Sequence, residues 1–196
     1  MLRGDLYGEL PAGRAVILVH GGGWDASGWS AIAPRFAERG VPALALDLRG
    51  HGRSTGVTGA ARAGKPWSAV TDLAAAKAAL RRRGAEEIAL VGASLGGYAV
   101  MASSFEGDVE SLVVLSSPVG ELEDGQAARI VGRKLFICAD EDSLGAAPHV
   151  IATYRAAVNL KALLLVGGTE HSWRMFDAPY AADVIDAMVE FACRRA

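Results

Sequence analysis

The chain has 196 residues, 51% of them hydrophobic and 21% charged, with a formal net charge of −2 at pH 7. That is enough chain for one domain with a substantial core, and the near-neutral balance offers no footing for nucleic acid or an anionic membrane surface as a partner. No apolar stretch approaches the roughly 20 residues that span a bilayer, and the opening Met1-Leu2-Arg3-Gly4-Asp5 lacks the apolar core of a secretion signal.

In chain order, residues 1–14 have room for one short strand, near residues 6–10. Apolar runs at 15–19, 43–46, 87–91, 111–115, 134–138 and 161–166 then read as strands. Their polarity is continuous rather than alternating, as in strands buried on both faces of a parallel sheet. Helical patterns fall between them. Residues 30–39 carry Ile32 and Phe36 four apart and stop at Gly40. Residues 68–83 open on Ser68 as N-cap and stop at Gly84. Arg81-Arg82-Arg83 at the end of that helix opposes its dipole. A third helix covers 95–104, and a fourth, 148–157, has Pro148 in its first turn. Asp177 caps a last helix running to about residue 195. The expected fold class is α/β: a mostly parallel twisted sheet of six to seven strands with helices on both faces, in one domain over residues 1–196. Residues 56–64, rich in Gly, Ala and Thr, read as mobile. Trp29 and Trp67 read as packing residues. Cys138 on a buried strand and Cys193 on the last helix read as free thiols, which points to a reducing, cytoplasmic setting.

Reactive groups of an open parallel sheet collect beyond the carboxyl ends of its strands. The most informative such end is Gly92-Ala93-Ser94-Leu95-Gly96, a G-x-S-x-G sequence between the run 88–91 and a small-residue helix. A serine at the apex of so tight a corner takes strained backbone angles, and glycine at both flanks removes collisions with strand and helix. Its hydroxyl then stands clear of the backbone, as a nucleophile requires. The first strong strand ends in His20-Gly21-Gly22-Gly23-Trp24, whose bare backbone N–H groups suit an oxyanion. The N–H groups of Gly22 and Leu95 form the expected pair, with Gly23 as substitute for Gly22. Of the four histidines, His171 alone directly follows the last strand, and it is the expected general base. His20 reads as a loop brace, His51 as part of a structural turn, and His149 as a helix residue. The loop Ala139-Asp140-Glu141-Asp142 offers three carboxylates for the acid that orients the imidazole, and spacing alone does not choose among them.

With these features in place, the chain resembles the α/β-hydrolase superfamily over nearly its whole length. The resemblance rests on residues 20–24, the turn Asp47-Leu48-Arg49-Gly50-His51-Gly52-Arg53-Ser54, the elbow at Ser94, and the order serine, acid, histidine. It implies Asp142 as the acid, three residues after the small Ala139, with Asp140 in reserve. It implies that residues 47–54 are structural. The chain departs from the family pattern in its N-terminal strands: many members begin with an antiparallel pair, and residues 1–14 have room for at most one short strand. Residues 116–133 leave room for a crossover helix but not for the helical cap of many members.

The expected activity is hydrolysis of small to medium carboxylic esters through an acyl-enzyme, with no cofactor and no metal. Trp24, Tyr98, Trp173 and Leu144 are the expected pocket residues, beside Leu95 and Phe176; the aromatics compete for a role as loop anchors. Ser116-Ser117-Pro118 is a further candidate for substrate contact. Perhydrolase, haloperoxidase-like or lyase chemistry on the same scaffold stays open, as does a non-catalytic binding protein. Serine at the elbow argues against aspartate-dependent dehalogenases and epoxide hydrolases. The partner is a small-molecule ester, with neither nucleic acid nor membrane. The oligomeric state is open, a homodimer included.

Overall fold

The computed structural model of the protein describes residues 1–56, 68–117, 125–158 and 160–194. Residues 57–64 of the segment expected to be mobile, together with Trp67 and Pro118, lie outside the described residues. The strands are β1 (Arg3–Tyr7), β2 (Arg14–Val19), β3 (Ala43–Asp47), β4 (Glu87–Ala93), β5 (Ser111–Leu115), β6 (Arg133–Ala139) and β7 (Lys161–Val166). The helices are α1 (Ala33–Ala37), α2 (Ser68–Arg82), α3 (Leu95–Ser104), α4 (Ala146–Ala156) and α5 (Ala181–Cys193). Three short 3-10 turns, Ala26–Trp29, Gln126–Arg129 and Ser172–Asp177, complete the described elements. The seven strands form one sheet in the order β1-β3-β2-β4-β5-β6-β7. Only β1 runs antiparallel, on β3; the remaining pairings are parallel.

Both faces of the sheet are covered, which is why its central strands β2, β4 and β5 are apolar after their first residue. All six residues of β2 are buried. Ile17 packs with Leu73, Leu90 and Val100 in the layer under α2, α3 and α4. Val16 and Leu18 point the other way, to Phe36, Val184 and Met188 of α1 and α5. Each fully buried aliphatic side chain of this kind contributes about 1.5–3 kcal/mol of transfer free energy. Several of the buried charges are paired. Lys77 in α2 reaches Asp108 at 2.6 Å, and Arg49 holds the fully buried Asp72. Arg81, in the last turn of α2, bonds Asp108 at 2.9 Å. Among the described residues no helix is long and apolar enough to cross a membrane.

Three expectations need correction. The N-terminal strand lies at Arg3–Tyr7 rather than 6–10, because Gly8 takes φ +87° and ends it. Residues 30–39 are not one helix: a 3-10 turn precedes α1, which starts at Ala33 with Pro34 in its first turn. Pro34 lacks an N–H and so begins a helix rather than continuing one. Asp177 does not cap the last helix. It ends the turn Ser172–Asp177, the extended Ala178 precedes Pro179, and α5 begins at Ala181 with Tyr180 as N-cap.

Candidate active site

Ser94 sits between β4 and α3 with φ 52° and ψ −115°, a conformation disfavoured for residues with a side chain. The glycines around it are steric necessities. A Cβ on Gly92 would lie 2.2 Å from the Gly96 carbonyl oxygen, and one on Gly96 would lie 2.4 Å from the carbonyl oxygen of Val19. Gly97, not singled out in the sequence, is constrained less severely, with the side-chain Cβ of Ser117 2.8 Å from its own would-be Cβ. The Ser94 N–H donates to Leu115 O at 2.8 Å, which ties the corner to β5.

The loop after β7 brings His171 to this serine. His171 Nε2 lies 2.9 Å from Ser94 Oγ. Its Nδ1 lies 2.9 Å from both carboxylate oxygens of Asp142. The Asp142 side chain is fully buried. Its Oδ1 also accepts the N–H groups of Leu144 (3.0 Å) and Ala146 (3.3 Å). Carboxylate on one side and hydroxyl on the other favour the imidazole tautomer with hydrogen on Nδ1, leaving Nε2 free to accept the serine proton.

Two loops carry Asp142 and His171, and their backbones are stitched together. Glu141 N donates to Gly168 O at 3.1 Å, and Ser143 N to Thr169 O at 2.8 Å. Asp140, the reserve acid, belongs to this stitching: its Oδ1 accepts Gly168 N at 3.0 Å and does not face the imidazole. Tyr180 donates to Glu170 at 2.6 Å; that bond holds the Glu170 carboxyl below its usual range, while burial and the Glu170 contact push the Tyr180 phenol up.

Behind the acid, Cys138 Sγ lies 3.8 Å from Asp142 Oδ2. Burial, reinforced by the Asp142 charge, pushes this thiol up to about 12. It therefore stays protonated at neutral pH and can donate weakly to the carboxylate.

The other histidines stand apart. His20 Nε2 accepts the Leu48 N–H at 3.1 Å, which makes Nδ1 the donor to Gly21 O at 2.8 Å. Burial holds this imidazole below its ordinary pKa, so it is a neutral brace. His51 stacks obliquely beside it at 4.9 Å. The turn around His51 hangs on buried Asp47, which accepts the N–H groups of Ala26 (2.8 Å) and Arg53 (3.1 Å). His149 lies on α4.

A cavity of about 510 Å³ opens over Ser94, lined by Gly21, Gly22, Leu95, Leu144, His171 and Trp173, with Ser143, Ser172 and Arg174. Leu95 is the first residue of α3, so its N–H has no helix carbonyl one turn back to accept it. Leu144 and Trp173 stand 71% and 38% exposed, apolar surface held open at the mouth.

Two expected pocket residues do not line this cavity. Trp24 stacks on Trp173 (5.7 Å) and leans on Trp29 (5.4 Å). Its ring covers Gly28, where a Cβ would fall 1.8 Å away, and it faces a neighbouring cleft of about 380 Å³ with Ile32 and Phe176. Tyr98 lies one helical turn, about 5.4 Å, past the corner and is half-buried in α3. Ser116 and Ser117 are fully buried and do not line the cavity either. Ser143, Ser172 and Arg174 were not anticipated. Their one sequence signal is adjacency to Asp142 and His171.

Comparison with known proteins bears on the family and the fold. The profile of the family described as serine aminopeptidase, S33, matches residues 11–139. An AB hydrolase superfamily protein of Gibberella zeae is 34% identical over 109 residues, which is 53% of this chain and 36% of that protein; the chain thus spans about a third of this relative's length. The monoacylglycerol lipase of Paleococcus ferrophilus superposes with a TM-score of 0.79 at 17% identity, covering 98% of both chains. A thermophilic esterase of Thermogutta terrifontis gives 0.75 at 17% identity, covering 96% of this chain and 92% of that one. At such identities the two structures speak for the fold. The sheet order, the glycine-lined serine corner and the family profile together show that this chain belongs to the serine aminopeptidase, S33 family of the α/β-hydrolase superfamily.

Proposed function

We propose that the protein is a carboxylesterase-like serine hydrolase, cleaving small to medium esters through an acyl-enzyme with Ser94 as nucleophile, His171 as base and Asp142 as orienting acid. The observation that carries the reading is the continuous chain from Asp142 through His171 to Ser94 Oγ, each link at 2.9 Å.

In the first step Nε2 takes the Ser94 proton as Oγ attacks the ester carbonyl. The oxygen that gains charge lies toward the N–H groups of Gly22 and Leu95 and the positive end of α3. The tetrahedral species collapses as His171 returns the proton to the leaving alcohol. Water then enters, loses a proton to His171 and releases the acid, restoring Ser94. Asp142 keeps hydrogen on Nδ1 and stabilises the transient imidazolium.

An ester is favoured over an aminoacyl amide because an amino-terminal substrate brings an ammonium group. Among the described residues no carboxylate lines the cavity, and its one permanent charge is the cation Arg174. The lipase and esterase among the structural neighbours support the same choice. The reading includes a single uncapped domain with an open mouth and, supported by the free thiols of Cys138 and Cys193, a cytoplasmic setting.

The test is turnover of 4-nitrophenyl esters of graded acyl length beside an amino-acid 4-nitroanilide. Ester hydrolysis that disappears in Ser94→Ala is expected. Turnover of the anilide alone, or esterase activity retained in Ser94→Ala, overturns the reading.

A further inference from the structure

Arg174 lines the cavity over Ser94 and is exposed to solvent. Arg14, Arg49, Arg81 and Arg133 are each paired with a carboxylate. Arg174 has no such partner among the described residues. Its guanidinium carbon lies 5.7 Å from the centroid of Trp173, another wall of the cavity. A guanidinium resting near a ring face keeps its N–H edge free for two parallel bonds to an anion.

Two more observations point the same way. The Ser172 hydroxyl is buried, belongs to the cavity lining, and has no hydrogen-bond partner among the described residues. Its backbone is held at φ +59°, a left-handed conformation that serine seldom adopts unless the surroundings impose it. A buried hydroxyl without a partner carries a desolvation penalty that a bound polar atom would relieve. Negative charge is meanwhile absent from the described lining: Asp142 sits behind His171, both its oxygens engaged.

We propose that the preferred substrate is an ester carrying a carboxylate, held by Arg174 at the cavity mouth, with the Ser172 hydroxyl bonding a second polar atom deeper in. This rests on the serine-hydrolase reading and narrows its substrate class. The carboxylate takes no part in bond making. It anchors one end of the substrate while Leu144 and Trp173 cover the apolar middle and the ester carbonyl reaches Ser94.

The test compares kcat/KM for two matched pairs. One carries the charge on the acyl side, the mono-4-nitrophenyl ester of adipic acid against 4-nitrophenyl hexanoate. The other carries it on the alcohol side, 4-acetoxybenzoate against its methyl ester. The anionic member is expected to be favoured about fivefold or more in one pair, the scale of a charged hydrogen bond at a half-open site; which pair shows it identifies the side that bears the charge. Arg174→Gln should remove that preference, Arg174→Lys should restore part of it, and 0.5 M salt should shrink it. Neutral members favoured in both pairs, or a preference that survives Arg174→Gln within twofold, overturns the inference and leaves the hydrolase reading standing. No turnover of any of the four esters, with Ser94 inert to a fluorophosphonate, overturns both.

Discussion

Replacing Asp142 by asparagine tests how the site keeps its proton order. The change preserves shape and removes charge. Asp142 Oδ1 is already held by the N–H groups of Leu144 and Ala146, so the amide oxygen of the substituted side chain settles there. The amide NH2 then occupies the place of Oδ2, 2.9 Å from His171 Nδ1. Two donors cannot face each other at that distance, so the imidazole moves its hydrogen to Nε2. The nitrogen facing Ser94 then becomes a donor and can no longer accept the serine proton. Loss of the carboxylate in serine triads costs about 10⁴ in kcat, which corresponds to about 5.5 kcal/mol of barrier. The assay is steady-state hydrolysis of a 4-nitrophenyl ester, with circular dichroism to confirm folding. Asp140→Asn is the control, because Asp140 only accepts Gly168 N; it should lose less than tenfold. If Asp142→Asn retained more than a tenth of wild-type kcat, or if Asp140→Asn fell further, the assignment of the acid would be wrong.

Two other outcomes follow from the same geometry. Gly96→Ala puts a methyl group 2.4 Å from Val19 O and 2.6 Å from His20 O; backbone must move, at a cost of about 2–3 kcal/mol, read as a lower denaturation midpoint together with reduced ester turnover. An unchanged midpoint would show that the corner is looser than described. His20 supplies a pH dependence. Burial lowers its folded pKa, so the unfolded chain takes the proton first. Its contribution is complete above the unfolded value of about 6.5 and drains as pH falls through the folded value. Urea midpoints at pH 7.5 and 5.0 should therefore fall more in wild type than in His20→Asn, and equal falls would remove His20 as a source.

Much of this was legible in the sequence because burial on both faces imposes a local signature. Strand β5, buried at every position, coincides with its apolar run, and α3 is bounded by Ser94 and a run of small residues; β7 coincides with its run too, but as an edge strand it leaves Leu165 exposed, against the burial on both faces expected of it. The corner at Ser94 was readable for a steric reason, since Gly92 and Gly96 occupy space that no side chain could. What was hidden depends on contacts distant in the chain. Asp142 could be preferred to Asp140 only through family resemblance; in the fold Asp142 meets His171 Nδ1, while Asp140 accepts Gly168 N. Trp24 looked like a pocket residue from its place in the glycine loop, but Trp29 and Trp173 hold its ring over Gly28. Ser172 and Arg174 lie on a turn with no periodicity to announce which side faces the cavity. The split of 30–39 was local and readable, through Pro34.

The claim on which the rest depends is that Ser94 is an activated nucleophile. A fluorophosphonate loses fluoride to an activated serine and leaves a phosphonyl group on its oxygen. Intact mass and peptide mapping after brief exposure of the folded protein read that event directly. The account predicts one adduct per chain, on the peptide that contains Ser94, absent from Ser94→Ala and formed far more slowly in Asp142→Asn. A folded wild-type protein left unmodified at Ser94, or labelled equally in Ser94→Ala, would contradict it.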